Sequence, residues 1–324
     1  MRIFVTGGSG FIGIPLVRKL ARRGHSIMVY DAFPNRDVLS RIDQVEIVRG
    51  DVTNWSEVYD AALSFNPEGI IHLVALISAH AEQHPFQALN VNIDGTALVF
   101  EIAKKLGIKK ITLPSTVATF GAGVPSPVRD DEIQKPKTIY GITKVFCELW
   151  GTYCSEKYGI DFRSVRLPSV IGPGRTNGGA SVYASLMIEQ PANGLSYEVQ
   201  AAPESSIPLL YITDAVNAVV SIFEAEHLQR RVYNVCGIAP TAAQIAEEVK
   251  KNIPDAKISF RSNPHVVKML KEWQQMDSTN FERDTGWNVS FPLEKLVTDF
   301  ISEVRRTKNN HAPLQTFPFE QAHQ

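Results

Sequence analysis

Ser115, Thr116, Tyr140 and Lys144 are the residues of this chain whose types and spacing could move a proton. The chain reads Leu-Pro-Ser-Thr-Val-Ala-Thr-Phe-Gly from Leu113, then a polar, proline-rich connection, then Ile-Tyr-Gly-Ile-Thr-Lys from Ile139, opening a long segment with apolar residues at helical spacing. Residues four apart on a helix are neighbours, so an ammonium would stand beside a phenol. A phenol with an ordinary pKa of about 10 is a poor base at neutral pH, and a nearby positive charge favours its ionised form. A hydroxyl from Thr116, or from Ser115, would then hold a substrate oxygen within reach of the phenolate. These are the parts of a proton-transfer site for a carbinol or carbonyl. Tyr-x-x-x-Lys alone is as readily an exposed helix pair, so its meaning depends on a cofactor site elsewhere in the chain.

The N-terminus supplies that site. Ile3-Phe4-Val5 has strand character, Gly7-Gly8-Ser9-Gly10-Phe11-Ile12-Gly13 follows it, and Leu16, Val17 and Leu20 continue at helical spacing. Glycines at 7, 10 and 13 let the backbone approach a pyrophosphate, and the helix N-terminus presents unpaired N–H groups to the anion. Pro15 is tolerated in the first turn of a helix starting near Phe11. The next strand, Ser26–Asp31, ends in a carboxylate suited to both hydroxyls of an adenosine ribose. That carboxylate would repel a 2′-phosphate, which favours NAD over NADP, although Arg36 is close by in sequence. Asp51 and Val52, after a strand starting at Val45, could flank an adenine.

Composition sets outer limits. A chain of 324 residues with 44% hydrophobic content can bury a sizeable core. With 33 basic and 34 acidic residues, bulk charge offers no nucleic-acid-binding surface. No segment has the apolar length of a membrane span, and Met1 to Thr6 runs directly into the glycine turn, leaving no room for a signal peptide. Cys147, Cys154 and Cys236 have no metal-ligand spacing, so we expect no metal and a reduced, cytoplasmic protein.

Further strands are expected over Gly69–Ala75, Lys109–Thr116 and Asp161–Pro168, alternating with helices over Ala97–Leu106 and from Tyr140 to about Tyr158. Such alternation predicts an α/β fold with a doubly wound parallel Rossmann sheet. His72, inside the Gly69 strand, reads as a hydrogen-bonded core histidine, and Ile77–Glu82 as a polar loop at a strand's carboxyl end, where open α/β sheets bind ligands. Residues 1–168, with 209–237 returning, form the expected NAD-binding domain. A smaller, interleaved substrate domain starts at Ser169 and includes helices over Ala242–Asn252 and Leu293–Arg305. The tail after about residue 306 reads as loosely held.

Taken together, Gly7-x-x-Gly10-x-x-Gly13, Asp31, Asn92 before Gly95-Thr96, Ser115-Thr116, Tyr140-x-x-x-Lys144, Arg166-Leu167-Pro168 and a late Asp284-x-Gly286-Trp287 resemble the extended short-chain dehydrogenase/reductases, the NAD-dependent epimerase/dehydratase family. The resemblance runs to about residue 300. It implies an enzyme using NAD, with Leu73, Ala75, Asn92, Tyr140, Lys144 and Pro168 joining the cofactor residues. Nucleotide-sugar enzymes of the family usually carry Asn at the position of Ser169 and an Arg-Asp pair before the Tyr211 strand, features this chain lacks. Ser78, Glu82 and the Ser115 to Gly121 segment are similar to the short-chain L-threonine dehydrogenases. Arg166-Leu167-Pro168 and Pro173-Gly174-Arg175-x-Asn177 are similar to the branch that oxidises sugar acids, in which case Arg175 would pair with a carboxylate.

The expected function is oxidation of a secondary alcohol on a small polar acid, with Ser78, Ser115, Thr116, Tyr140, Arg175 and Ser181 at the substrate. An epimerase or dehydratase that keeps its NAD, and a non-catalytic NAD-binding regulator, are the competing classes. Relatives pair through a helix bundle, and Val145, Phe146, Leu149, Trp150 and Tyr153 spread over a wide arc of the Tyr140 helix, so a homodimer is expected.

Overall fold

The computed structural model describes residues 1–175 and 179–309. Asn177, counted in a resemblance above, lies outside the described residues, as does the chain after 309.

Seven short apolar strands line up in parallel: β1 (Arg2–Thr6), β2 (Ser26–Asp31), β3 (Val45–Arg49), β4 (Gly69–His72), β5 (Lys110–Thr112), β7 (Asp161–Leu167) and the strand Val232–Asn234. Their order is Val232–Asn234, β7, β5, β4, β1, β2, β3, so the chain winds outward from β1 in both directions. The expected single strand over Lys109–Thr116 is divided. Pairing with β7 stops as a strand at Thr112, with Leu113 N–H still donating to the Arg163 carbonyl, and resumes as β6 (Ser115–Thr116) against Arg166 and Leu167 of β7.

β4 is buried along its whole length, as a strand covered on both faces must be. One face carries a core with Val17, Leu20, Val219 and Phe223, drawn from the helices Gly13–Arg22 and Ile212–Glu224. The other carries Phe65, Phe100, Cys147 and Phe162, with the helices Trp55–Phe65, Gly95–Leu106 and Ile139–Tyr158. A third core, including Ile171, Tyr183, Met187, Val249 and Phe300, gathers residues from the later part of the chain.

Some local expectations change. β4 ends at His72, so Leu73 and Ala75 stand in the loop beyond it. The stretch from Ser78 is a short helix, Ser78–Gln83, rather than a loop. Leu209–Tyr211 pairs with the strand Ser169–Ile171 outside the main sheet, so the return to that sheet is made by the helix Ile212–Glu224 and the strand Val232–Asn234. The last helix, Leu293–Asn309, runs past its expected end at Arg305.

Candidate active site

The Tyr140 helix begins against the turn that follows β6. Thr138 caps it, its Oγ1 accepting from the Gly141 N–H at 3.0 Å, and Glu82 accepts from the Ile139 N–H at 2.7 Å. A Cβ on Gly141 would lie 2.2 Å from the Ala118 carbonyl oxygen, so only glycine lets the helix approach this closely. That approach brings the Tyr140 phenol near enough to the Thr116 side chain for Thr116 to favour its ionised form. Lys144, one turn further along, is buried and makes no hydrogen bond or ion pair among the described residues.

Burial raises the Tyr140 pKa above its ordinary value, a Coulombic contribution from Cys147 adds to the rise, and the Thr116 contact opposes it. Burial also lowers the Lys144 pKa, with Cys147 and Glu148 acting in the other direction. The expected depression of the phenol by Lys144 is not seen in the protein alone: Thr116 is the group that lowers the Tyr140 pKa, and burial outweighs it.

Ser115 does not join Tyr140. It is buried, and its hydroxyl donates a short hydrogen bond to Glu148. Glu148, one turn beyond Lys144, also accepts from Arg166 Nη2 at 2.7 Å and from Gln134 Nε2 at 2.8 Å. Sequence reasoning missed Glu148, although its spacing from Lys144 repeats that between Tyr140 and Lys144.

Asn92 is likewise committed inside the protein. Its side chain accepts from the Leu76 N–H at 2.8 Å and donates to the Leu76 carbonyl at 2.9 Å and to Thr143 Oγ1 at 3.0 Å. It thus ties the loop after β4 to the Tyr140 helix. His72 is the satisfied core histidine expected, with Nδ1 2.6 Å from Thr6 Oγ1 and Nε2 3.0 Å from Thr96 Oγ1. Thr96 donates to the Asn92 carbonyl, which assigns the His72 proton to Nε2. Burial, with a smaller contribution from Lys144, lowers the His72 pKa to about 3.

The glycine turn has the close geometry expected of a pyrophosphate cradle. Gly7 has φ +71°, and a Cβ there would lie 2.8 Å from the Val74 nitrogen; one on Gly13 would lie 2.5 Å from the Gly7 carbonyl oxygen. Gly10, Phe11 and Ile12 complete the turn, half-buried. Asp31 closes the far side. Its carboxylate accepts from the Ser9 and Phe33 N–H groups, at 3.0 Å each, and burial raises its pKa against those two contacts. Asp51 accepts from the Thr53 N–H at 2.9 Å, and Val52 is buried beneath Gly95. Pro168 is buried between β7 and the strand Ser169–Ile171.

A model of the NAD dependent epimerase/dehydratase family matches residues 3–236. The chain belongs to this family. NAD is accordingly its cofactor, and the glycine turn and Asp31 fit that group. L-threonine 3-dehydrogenase, mitochondrial, of Bos taurus is 30% identical over 310 residues, covering 93% of this chain and 82% of its own. D-erythronate dehydrogenase of Cupriavidus necator is 30% identical over 327 residues, covering 95% and 100%. The solved L-threonine 3-dehydrogenase of Trypanosoma brucei superposes with a TM-score of 0.87 at 30% identity, over 95% of this chain and 98% of that one.

One further group of polar residues gathers around a buried guanidinium. Arg175 donates to Ser169 Oγ from Nη1 and to Ser181 Oγ from Nη2, at 2.9 Å each. Burial lowers its pKa to about 10, with no acidic group contributing. Ser78, at an unfavourable φ of +41°, lies opposite Gly179, where an added Cβ would be 3.9 Å from the Ser78 Cβ. The start of the helix Ser78–Gln83 and the turn Gly179–Val182, which carries Ser181, therefore meet. Among the described residues, no group of His, Cys, Asp and Glu could hold a metal ion, and no helix is long and apolar enough to cross a membrane.

Proposed function

We propose that this chain is an NAD-dependent dehydrogenase that oxidises a secondary alcohol of a small organic acid, either an aldonic acid or an amino acid like L-threonine. The observation that carries this reading is the placement of the Tyr140 phenol, near enough to Thr116 for that side chain to favour its ionised form, with Lys144 buried one helical turn away. Gly7, Gly10, Phe11, Ile12, Gly13 and Asp31 would hold the dinucleotide, with Asp51, Val52, Leu73, Ala75 and Pro168 along its length. Asn92 acts by fixing the loop after β4.

Bound oxidised NAD supplies an electron-poor, positively charged ring that takes up hydride. Thr116 orients the substrate hydroxyl, and Tyr140 accepts its proton. Lys144 keeps positive charge beside the phenolate as that proton arrives. The guanidinium of Arg175, which among the described residues bonds serines and no acid, would receive the substrate carboxylate, with Ser78 and Ser181 beside it. Ser115 supports Thr116 from behind.

The reading includes a homodimer formed through the Tyr140 helix. It also includes a cytoplasmic setting, where the free cysteines stay reduced; cell fractionation that places the protein in an oxidising compartment would oppose this last point.

Tyr140→Phe tests the chemistry. It should lower turnover by roughly 10²–10⁴-fold, the usual contribution of a positioned acid–base group, and leave NAD affinity measured by titration calorimetry nearly unchanged. Substantial turnover in this variant rejects the assignment.

A further inference from the structure

We propose that Glu148 is a positioning residue for the reaction, a buried clamp that fixes the Thr116 strand end against the Tyr140 helix and holds negative charge beside Lys144. The inference rests on Tyr140 being the proton acceptor. Glu148 is 3% exposed, and its carboxylate is held from three directions. Ser115 donates to Oε1 from β6, Gln134 donates to Oε2 from the connection before the helix, and Arg166 of β7 forks across both oxygens at 2.7 to 3.1 Å.

Arg166 is anchored in its turn. Its Nη1 donates to the Asp130 carbonyl at 2.8 Å and to Asn234 Oδ1 at 3.2 Å, and its guanidinium lies 4.9 Å from the centre of the Phe120 ring. The carboxylate is thus fixed from the sheet side and bears on the helix. Ser115 is the backbone neighbour of Thr116, so the Ser115–Glu148 bond sets where the Thr116 hydroxyl stands relative to the phenol two turns up the same helix. The contact of Gly141 with Ala118 sets the same separation from the other end.

A buried ion pair is a poor stabiliser in itself, because an apolar pair of similar volume often does as well. Here the carboxylate supplies two things that an apolar pair could not, an acceptor for the Ser115 hydroxyl and a negative charge one turn from Lys144. That charge supports the protonated form of Lys144 against burial.

The test compares wild type, Ser115→Ala, Glu148→Gln and Tyr140→Phe on whichever of L-threonine, D-erythronate and related hydroxy acids is oxidised fastest, with NAD affinity measured separately by calorimetry. Ser115→Ala removes a single link and spares the Arg166 pair. It should lower kcat by about tenfold with KM and NAD affinity within about twofold, as a small misplacement of reacting groups does. In Glu148→Gln, Lys144 loses a nearby negative charge and Arg166 loses its counter-charge. Both changes favour neutral Lys144, so the alkaline fall in kcat should move to lower pH.

If Ser115→Ala keeps kcat within twofold while Tyr140→Phe is inactive, the clamp is overturned and the Tyr140 reading stands. A Glu148→Gln profile with its alkaline limb unmoved, in a folded protein, removes the electrostatic part. Should Glu148→Gln not fold, Ser115→Ala still decides the clamp. An active Tyr140→Phe, or no turnover by wild type on any compound, defeats the parent reading and this inference with it.

Discussion

At the scale of single residues, the site is defined by how burial acts on a few charged or ionisable groups. Burial moves Tyr140 and Lys144 in opposite directions, towards the neutral phenol and the neutral amine. A phenol raised in this way supplies more of its active, ionised form as pH rises, and positive charge arriving beside it acts in the same sense. Arg175 bears the corresponding cost for a cation: it is desolvated, its side-chain bonds among the described residues are to hydroxyls, and an anion is the partner that would relieve it. Arg175→Met should therefore raise KM for the acid about tenfold to a hundredfold, the equivalent of roughly 1.5–3 kcal/mol for a hydrogen bond to a charged group, and change kcat less. Steady-state kinetics on the preferred substrate measure this, and an unchanged KM would show that Arg175 is only a loop support.

At the scale of elements, the parts legible in the sequence were those whose meaning is local. A glycine turn between a strand and a helix, an acid closing the next strand, and a phenol four residues from an ammonium each declare themselves within a short stretch. The helix Ala242–Asn252 was legible to its boundaries because its apolar period and its Thr241 cap lie side by side in the chain. What escaped were roles set by distant partners. Glu148 meets Ser115 33 positions away, and Arg166 meets Asn234 68 positions away. The same holds for the bonds of Ser115 to Glu148 and of Asn92 to Leu76 and Thr143, which nothing near those residues in sequence announces. The helix Ile212–Glu224 was hidden because a short apolar run reads equally well as strand or buried helix.

One element also carries a pH prediction. His72, inside β4, has a folded-state pKa lowered by burial to about 3 from the ordinary value of 6.5. The unfolded chain therefore takes up a proton at a pH where the folded chain does not, so stability is full above the unfolded value and falls as pH drops from about 6.5 towards 3. The slope should be on the order of 1 kcal/mol per pH unit and flatter in His72→Gln, which cannot titrate. Denaturant melts between neutral pH and pH of about 4.5 measure it; equal slopes would show that other groups control acid unfolding.

At the scale of the whole molecule, the remaining feature is an apolar stripe on the outside of the Tyr140 helix. Leu149 is 63% exposed and Tyr153 46%, with Phe146 and Trp150 half-buried and stacked beside them. A second copy of the chain, packing the same stripe against its own twofold mate, is what we expect to cover it. Wild type should sediment as a dimer and Leu149→Glu as a monomer; a monomeric wild type at micromolar concentration would leave the stripe without that role. Beyond assembly, the account depends on whether the molecule as a whole passes reducing equivalents outward or keeps them for an epimerase's return step. The most direct measurement is NADH absorbance when wild type, excess NAD and a panel of small hydroxy acids and L-threonine are mixed. The account predicts that NADH accumulates over many turnovers, well beyond the concentration of enzyme. NADH that never exceeds one equivalent of enzyme with any compound, while a nucleotide sugar is epimerised or dehydrated, would contradict it.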